Sequence, residues 1–145
     1  MKRGGPAERG ESGQSLVEFA LIIPVILLII TGLFDAGRAV WQENTLAYAA
    51  REGTRYAIVH GSTSGTPVGP CSSCGDPTVL AVVQKASVGV ANITILLDYP
   101  DGNNDRNSRV TIDASAPFVP LPSQFLLNGA FAITLRGGSQ LVIQR

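Results

Sequence analysis

The sequence predicts an α+β protein in which a long N-terminal transmembrane helix extends into a small head of one short helix and an antiparallel sheet. Three observations predict this fold class. An apolar run without charges covers residues 19–34. Apolar residues at helical spacing follow at residues 78–90. Two segments of alternating apolar and polar residues, 92–99 and 109–115, then flank a turn-rich stretch.

Composition narrows the class of protein. The chain has 145 residues, of which 15% are charged, and a formal net charge of +0 at pH 7. This balance does not indicate a nucleic-acid-binding surface, so we expect no nucleic-acid partner. We divide the chain into a leader at residues 1–13, a transmembrane and extended helix at 14–60, and a head at 61–145. The head is long enough for one modest core.

The leader, MKRGGPAERGESG, is expected to be disordered because it contains Gly and Pro and lacks an apolar face. Its basic residues, Lys2, Arg3 and Arg9, favour a cytoplasmic N-terminus. Arg38 and Arg51, beyond the apolar run, weaken this bias. Charge counting thus favours a head outside the cytoplasm without fixing it.

The apolar run spans a bilayer if it begins at Leu16, because its length is then about 28 Å against a hydrocarbon core of about 30 Å. This placement brings Glu18 into the apolar end of the helix, where a carboxylate costs about 2–3 kcal/mol at depth. Such a residue needs a partner. Cleavage between Gly13 and Gln14 would supply one, since the new α-ammonium group of one subunit could meet Glu18 of its neighbour.

Gly13, four further residues, Glu18 and the long apolar run together resemble the cleavage site of type IV prepilins. The longer stretch GQSLVEFALIIPVILLIITGLFDAGRAVWQENTLAYAAREGTRYA, residues 13–57, is similar to the TadE-like family of pseudopilins, which belong to the tight-adherence (Flp) pilus assembly system. The resemblance implies cleavage between Gly13 and Gln14 by a prepilin peptidase, and a role for Glu18 in assembly or processing. It also implies a single-pass protein of the cytoplasmic (inner) membrane.

The implied partners are the prepilin peptidase, other pilins and pseudopilins of the same system, an inner-membrane assembly platform and the lipid bilayer. The implied role is in the assembly or initiation of a type IVb pilus. The chain itself could enter the fibre or stay in the membrane. A secretory signal peptide is the rival interpretation of the N-terminus, with Gly37-Arg38-Ala39 as its best cleavage site, but the apolar run exceeds the usual 7–15 residues.

Small residues continue beyond the apolar run. Gly32, Ala36 and Ala39 are spaced so that another helix could approach closely in a membrane, although Ala is also simply a good helix former. A similar stripe continues at residues 47, 50, 54 and 57. We expect the helix to extend to about Val59 and its upper half to pack on the head. Asp35 and Arg38 are expected to form a solvated i,i+3 pair.

The loop at residues 61–77 is rich in Gly, Pro and Ser and contains Cys71 and Cys74. A zinc site would need further ligands that the sequence does not supply. A thioredoxin-like redox centre would place its first Cys at the start of a helix after a strand. A local disulfide is the preferred interpretation if the head lies outside the cytoplasm.

In the head, residues 78–90 predict a helix with Asp76 or Thr78 at its N-cap, and residues 92–99 and 109–115 predict a hairpin. The turn between them partly matches a calcium loop, but a polar hairpin tip is preferred. The proline-bearing segment APFVPLPS is expected to be extended and outside any central strand. Gly137-Gly138 is expected to turn the chain into a last strand.

No arrangement of residues indicates catalysis, a metal or a cofactor, and His60 is expected to end the long helix. We therefore expect a protein that is the substrate of an enzyme and not an enzyme. Two other functions stay open: a membrane-tethered binding or adhesion module that is never polymerised, and a membrane-anchored thiol oxidoreductase.

Overall fold

The N-terminal part of the chain is one continuous helix. In the computed structural model, which describes residues 11–126 and 128–144, α1 covers Glu11–Val59. Its predicted end is confirmed. The prediction of disorder was wrong for residues 11–13, because a single Gly costs a helix only about 1 kcal/mol and does not stop it. The same prediction for residues 1–10 lies outside the described residues.

The head is built from the elements that follow α1: α2 (Pro77–Ala86), β1 (Thr94–Asp98), β2 (Arg109–Phe118), α3 (Leu121–Leu126) and β3 (Ile133–Val142). The three strands form one antiparallel sheet in the order β1-β2-β3. The α+β fold and the hairpin of β1 and β2 are confirmed.

The core lies between the sheet, the upper part of α1 and α2. Strand alternation places Ile95 and Leu97 of β1 and Ile112 of β2 on the buried face, as predicted. They join Leu46 of α1 and Val83 of α2 in a single apolar cluster. The upper half of α1 therefore packs on the head, which confirms the expectation from the sequence.

Gly137 does not form the predicted turn. Residues 137 and 138 lie inside β3, paired with Ala114 and Asp113 of β2. A Cβ atom on Gly137 would lie 2.2 Å from the backbone nitrogen of Ala47 in α1. The glycine is there because β3 crosses the helix backbone at this point and leaves no room for a side chain.

The proline-bearing segment was also predicted wrongly, because its first part belongs to the central strand and its second part is helical. Pro117 is in β2, paired with Thr134 of β3. The pairing of β2 with β1 stops at Ser115, which lies opposite Thr94, and does not reach Pro117. The missing N–H of Pro117 therefore interrupts no bond to β1. The chain then forms α3, with Pro122 in its first turn, where proline is tolerated.

α2 begins as predicted and ends early. The Asp76 side chain caps it by accepting hydrogen bonds from the backbone nitrogens of Thr78 and Val79, at 2.8 and 3.2 Å. The helix ends at Ala86 and not at residue 90. Gly89 adopts a φ of +79°, and a Cβ atom there would lie 2.9 Å from the Trp41 ring. The chain leaves the helix to pass this ring closely.

The tip of the β1–β2 hairpin is held by an ion pair. Arg109 donates hydrogen bonds to the Asp101 carboxylate from its side chain, at 2.7 and 3.2 Å, and from its backbone nitrogen, at 2.8 Å. Asn104 is buried and donates to the carbonyl of Val68, which ties the tip to the loop before α2. Asp101, a candidate calcium ligand by sequence, is thus paired with a cation of its own chain.

Candidate functional site

The residues of the predicted cleavage site lie on an exposed turn near the start of α1. The Gln14 side-chain amide donates a hydrogen bond to the Glu18 carboxylate at 3.3 Å, and both residues are exposed. A Cβ atom on Gly13 would have no neighbour within 4 Å. The Gly13–Gln14 bond and the Glu18 carboxylate are therefore both accessible from outside the helix.

The next part of α1 carries an apolar surface that stays largely exposed. Its most apolar stretch of 18 residues has a mean hydropathy of 2.7, and none of these residues is buried. Leu21, Ile26 and Leu33 are among its exposed side chains. By length and composition this helix can cross a membrane, and it fits a single-pass membrane anchor.

The small residues divide into two groups. Gly32 and Ala36 are exposed and Ala39 is partly buried, so this part of the stripe is open to another helix. Farther along α1, Ala50 and Ala57 are buried against the head of the same chain. The upper part of the predicted stripe is therefore an internal contact, and only the lower part stays a candidate for packing between subunits.

Asp35 does not form the solvated pair expected from the sequence. It is only 7% exposed, and its carboxylate accepts hydrogen bonds from the Arg38 guanidinium at 2.9 Å and from the backbone nitrogen of Leu121 at 2.7 Å. The Arg38 guanidinium also lies 5.3 Å from the centre of the Phe118 ring, within the range of a cation–π contact. These contacts fasten the lower end of the head to α1.

Cys71 and Cys74 form a disulfide in the loop before α2, with their Cα atoms 5.9 Å apart. Cys74 also exchanges two backbone hydrogen bonds with Leu97, of 3.0 and 2.8 Å, which attach the loop to the outer edge of β1. Neither cysteine opens a helix, since α2 begins only at Pro77. This placement differs from that of a thioredoxin-like redox centre.

The loop before α2 is also fixed by a buried tyrosine. The Tyr99 hydroxyl donates to the carbonyl of Val68 at 2.5 Å. Burial, and then the negative charge of Asp76, raise the pKa of Tyr99 to about 12. Tyr99 is thus a neutral donor across the physiological range, as its hydrogen bond requires.

His60 follows the last residue of α1, as expected. Its Nδ1 lies 2.7 Å from the carbonyl oxygen of Tyr56, and the two rings stack with their centroids 3.9 Å apart. Across residues 11–126 and 128–144, no group of three or more His, Cys, Asp or Glu side chains could hold a metal ion.

Comparison with known protein families adds one finding. The model of the family described as TadE-like protein matches residues 13–55. This part of α1 is therefore similar to the TadE-like family. The matched segment begins at Gly13, includes Glu18, and ends within α1 before the head. No curated protein and no solved structure matches the chain. The match suggests an association with the Tad pilus system and does not extend to the head.

Sequence reasoning proposed Gly13, Gln14 and Glu18 as a cleavage and assembly site, which stays a prediction, and it missed the contact between Asp35 and α3. The sequence indicates that contact only weakly, by an aspartate directly after the apolar run of α1. Its partner at Leu121 is far away in the sequence and is a backbone group, which leaves no pattern of its own.

Proposed function

We propose that the chain is a membrane-anchored TadE-like pseudopilin that acts in the assembly or initiation of a type IVb (Flp/Tad) pilus. One observation carries the proposal. In the part of α1 that matches the TadE-like family, Gly13, Gln14 and Glu18 lie on an exposed turn at the start of an exposed apolar segment. The N-terminus lies in the cytoplasm, and the head lies outside it. The chain is the substrate of a prepilin peptidase and has no catalytic role of its own.

Cleavage between Gly13 and Gln14 gives Gln14 a positively charged amine. Among the residues that the structure describes, the side chain that donates to Glu18 is the neutral amide of Gln14. A charged partner stabilises a carboxylate at the membrane boundary far better than an amide does, because the local dielectric is low. The amine of one subunit and Glu18 of the next therefore form a pair that orders neighbouring helices along their axes.

The test compares Glu18→Gln with a matched control, Glu43→Gln, which removes an exposed carboxylate from the same helix above the apolar segment. The full chain is produced with its prepilin peptidase, and the mature N-terminus is read by mass spectrometry. We expect wild type and Glu43→Gln to begin at Gln14 and to co-purify with their partner pilins. We expect Glu18→Gln to lose co-purification at least severalfold. A product that keeps Met1, or one that begins at Val40, contradicts the proposal.

A tethered binding module is the second candidate function, because the family match ends before the head. A module that is never polymerised needs neither cleavage at Gly13 nor Glu18. A wild-type chain that keeps Met1 and does not co-purify with pilins, together with a Glu18→Gln variant that behaves in the same way, would favour this second function.

A further inference from the structure

One element of the head, α3, lies beside the apolar segment of α1. The two helices line an apolar groove of about 380 Å³. Leu27 and Leu28 of α1 form one wall, and Phe125 and Leu126 of α3 form the other. A part of the head thus lies level with the outer half of the candidate membrane span.

The level of this groove follows from the length of the helix. A bilayer core takes about 20 helical residues. If the core begins at Glu11, it ends near residue 30; if it begins at Glu18, it ends near residue 37. Leu27 and Leu28 lie inside the core in both cases, at least about 3 Å below its outer boundary. The side chains of α3 that face them lie at the same depth.

α3 and the segment that follows it expose several large apolar side chains. We call Leu121, Phe125, Leu126, Phe131 and Ile133 the apolar foot. Phe125, Leu126 and Phe131 are 79%, 73% and 67% exposed. Large aromatic and aliphatic side chains this exposed, and next to one another, mark an interaction surface. No charged residue occurs in the sequence from Ala114 to Leu135.

Several backbone groups of this segment and the Ser123 hydroxyl find partners within the chain, whereas the exposed side chains of Gln124 and Asn128 line a separate polar pocket beside Arg38. The backbone nitrogen of Leu121 donates to Asp35, and that of Gln124 donates to the carbonyl of Pro120 at 3.0 Å. The buried Ser123 hydroxyl accepts from the backbone nitrogen of Phe131 and donates to its carbonyl, at 2.9 and 3.1 Å. Internal satisfaction of these groups is what a lipid environment demands of a backbone.

We propose that the apolar foot inserts into the outer leaflet of the bilayer beside α1, so that the head has a second membrane contact besides its helix. The occupant is lipid acyl chains. Lipid is favoured because the foot is continuous with the exposed apolar surface of α1, shares its depth and carries no charge. This inference rests on the proposed function only in requiring that α1 spans a membrane.

The test measures the depth of single residues in the full chain, reconstituted in vesicles of phosphatidylethanolamine and phosphatidylglycerol. The native cysteines are already paired, so an introduced cysteine can carry a spin label. Phe125→Cys reports on the foot, Ile29→Cys on the span, and Lys85→Cys on the exposed face of α2. Phe131→Cys is a second probe of the foot should Phe125→Cys fail to fold. Accessibility to oxygen, which concentrates in lipid, is compared with accessibility to a water-soluble nickel complex.

We expect the oxygen-to-nickel ratio at residue 125 to match that at residue 29 and to exceed that at residue 85 severalfold. If the ratio at residue 125 equals that at residue 85 while residue 29 is still in lipid, the proposed insertion of the foot is wrong and the membrane anchor still holds. Low accessibility of 125 to both reagents also overturns it, because protein then covers the foot. A water-exposed residue 29 overturns the anchor, and with it the proposed function.

Discussion

The carboxylate of Asp35 accepts a hydrogen bond from the backbone nitrogen of Leu121 at 2.7 Å, across 86 residues of sequence. Asp35 belongs to the helix that anchors the protein, and Leu121 begins the element that lies against that helix. The bond therefore fixes the lower end of the head to α1, next to the apolar segment.

Replacement of Asp35 by Ala should loosen this junction. The substitution leaves the nitrogen of Leu121 without its acceptor and Arg38 without its ion pair, which should cost about 1–3 kcal/mol of unfolding free energy. Hydrogen exchange of the Leu121 amide should quicken more than exchange in β2. The matched control is Glu52→Ala, which removes an exposed helix pair with Arg55 and should cost less than about 1 kcal/mol. Equal effects of the two variants would contradict a structural role for Asp35.

Gly137→Ala should be far more damaging than an alanine elsewhere in the head. Its Cβ atom would lie 2.2 Å from the backbone of Ala47, and neither backbone can give way locally. We expect a loss of about 1–3 kcal/mol or more, measured by denaturant unfolding in detergent. Gly65→Ala is the control, because its Cβ atom would meet nothing within 4 Å. If both variants unfold at the same denaturant concentration, β3 does not lie against α1 as described.

The disulfide should contribute modestly to stability because it closes a very short loop. The chain-entropy relation gives about 2 kcal/mol for a loop of this length. The Cys71→Ser/Cys74→Ser variant should therefore fold, with a lower unfolding midpoint, since Cys74 keeps its backbone position beside Leu97. A reducing agent should lower the midpoint of the wild type to that of the variant and leave the variant unchanged. A shift of the variant by the reducing agent would contradict this account.

The pairing of Asp101 with Arg109 predicts a specific loss of stability in acid. Hydrogen bonds from the Arg109 side chain, and then from its backbone, lower the pKa of Asp101 from 3.8 to about 2. A carboxylate with a lowered pKa in the folded state stabilises that state above its unfolded pKa, and the stabilisation is lost as the pH falls through the folded value. Unfolding midpoints between pH 4 and pH 2 should therefore fall less steeply for Asp101→Asn than for wild type.

The control for the acid experiment is Asp105→Asn, which removes an equal charge from the same hairpin tip. Its pH profile over this range should follow that of the wild type. If Asp101→Asn follows the wild type instead, the ion pair does not hold the tip in solution.

Local patterns in the sequence were enough to predict much of the fold. The alternation of Ile93, Ile95, Leu97 and Tyr99 gave the first strand and its buried face, because strand periodicity is a local property. The end of α1 followed from its composition, because Gly37 and Gly53 are the only residues that weaken a helix between Phe34 and His60. Both features depend on residues that are close together in the chain.

Three of the errors share a different cause, which is contact between distant segments. Gly137 has the composition of a turn, yet the proximity of Ala47 is what requires a glycine there. Pro117 would be excluded from a central strand, but β1 is too short to reach it. Asp35 was expected in solvent because the sequence does not show that α3 returns to α1. For the candidate site, the sequence shows the spacing of Gly13 and Glu18. It does not show which part of the fold α3 packs against.

The course of β3 along α1 has a mechanical consequence. Gly137 lies against Ala47, Ser139 lies near Thr54, and Gln144 bonds to the carbonyl of Ile58, so the strand ascends beside the helix in the same direction. When the head is held, a pull along the helix axis therefore loads the contact between α1 and β3 in shear along its whole length, and does not peel it open from one end. A head attached in this way resists tension transmitted through its anchor better than one suspended from a single loop.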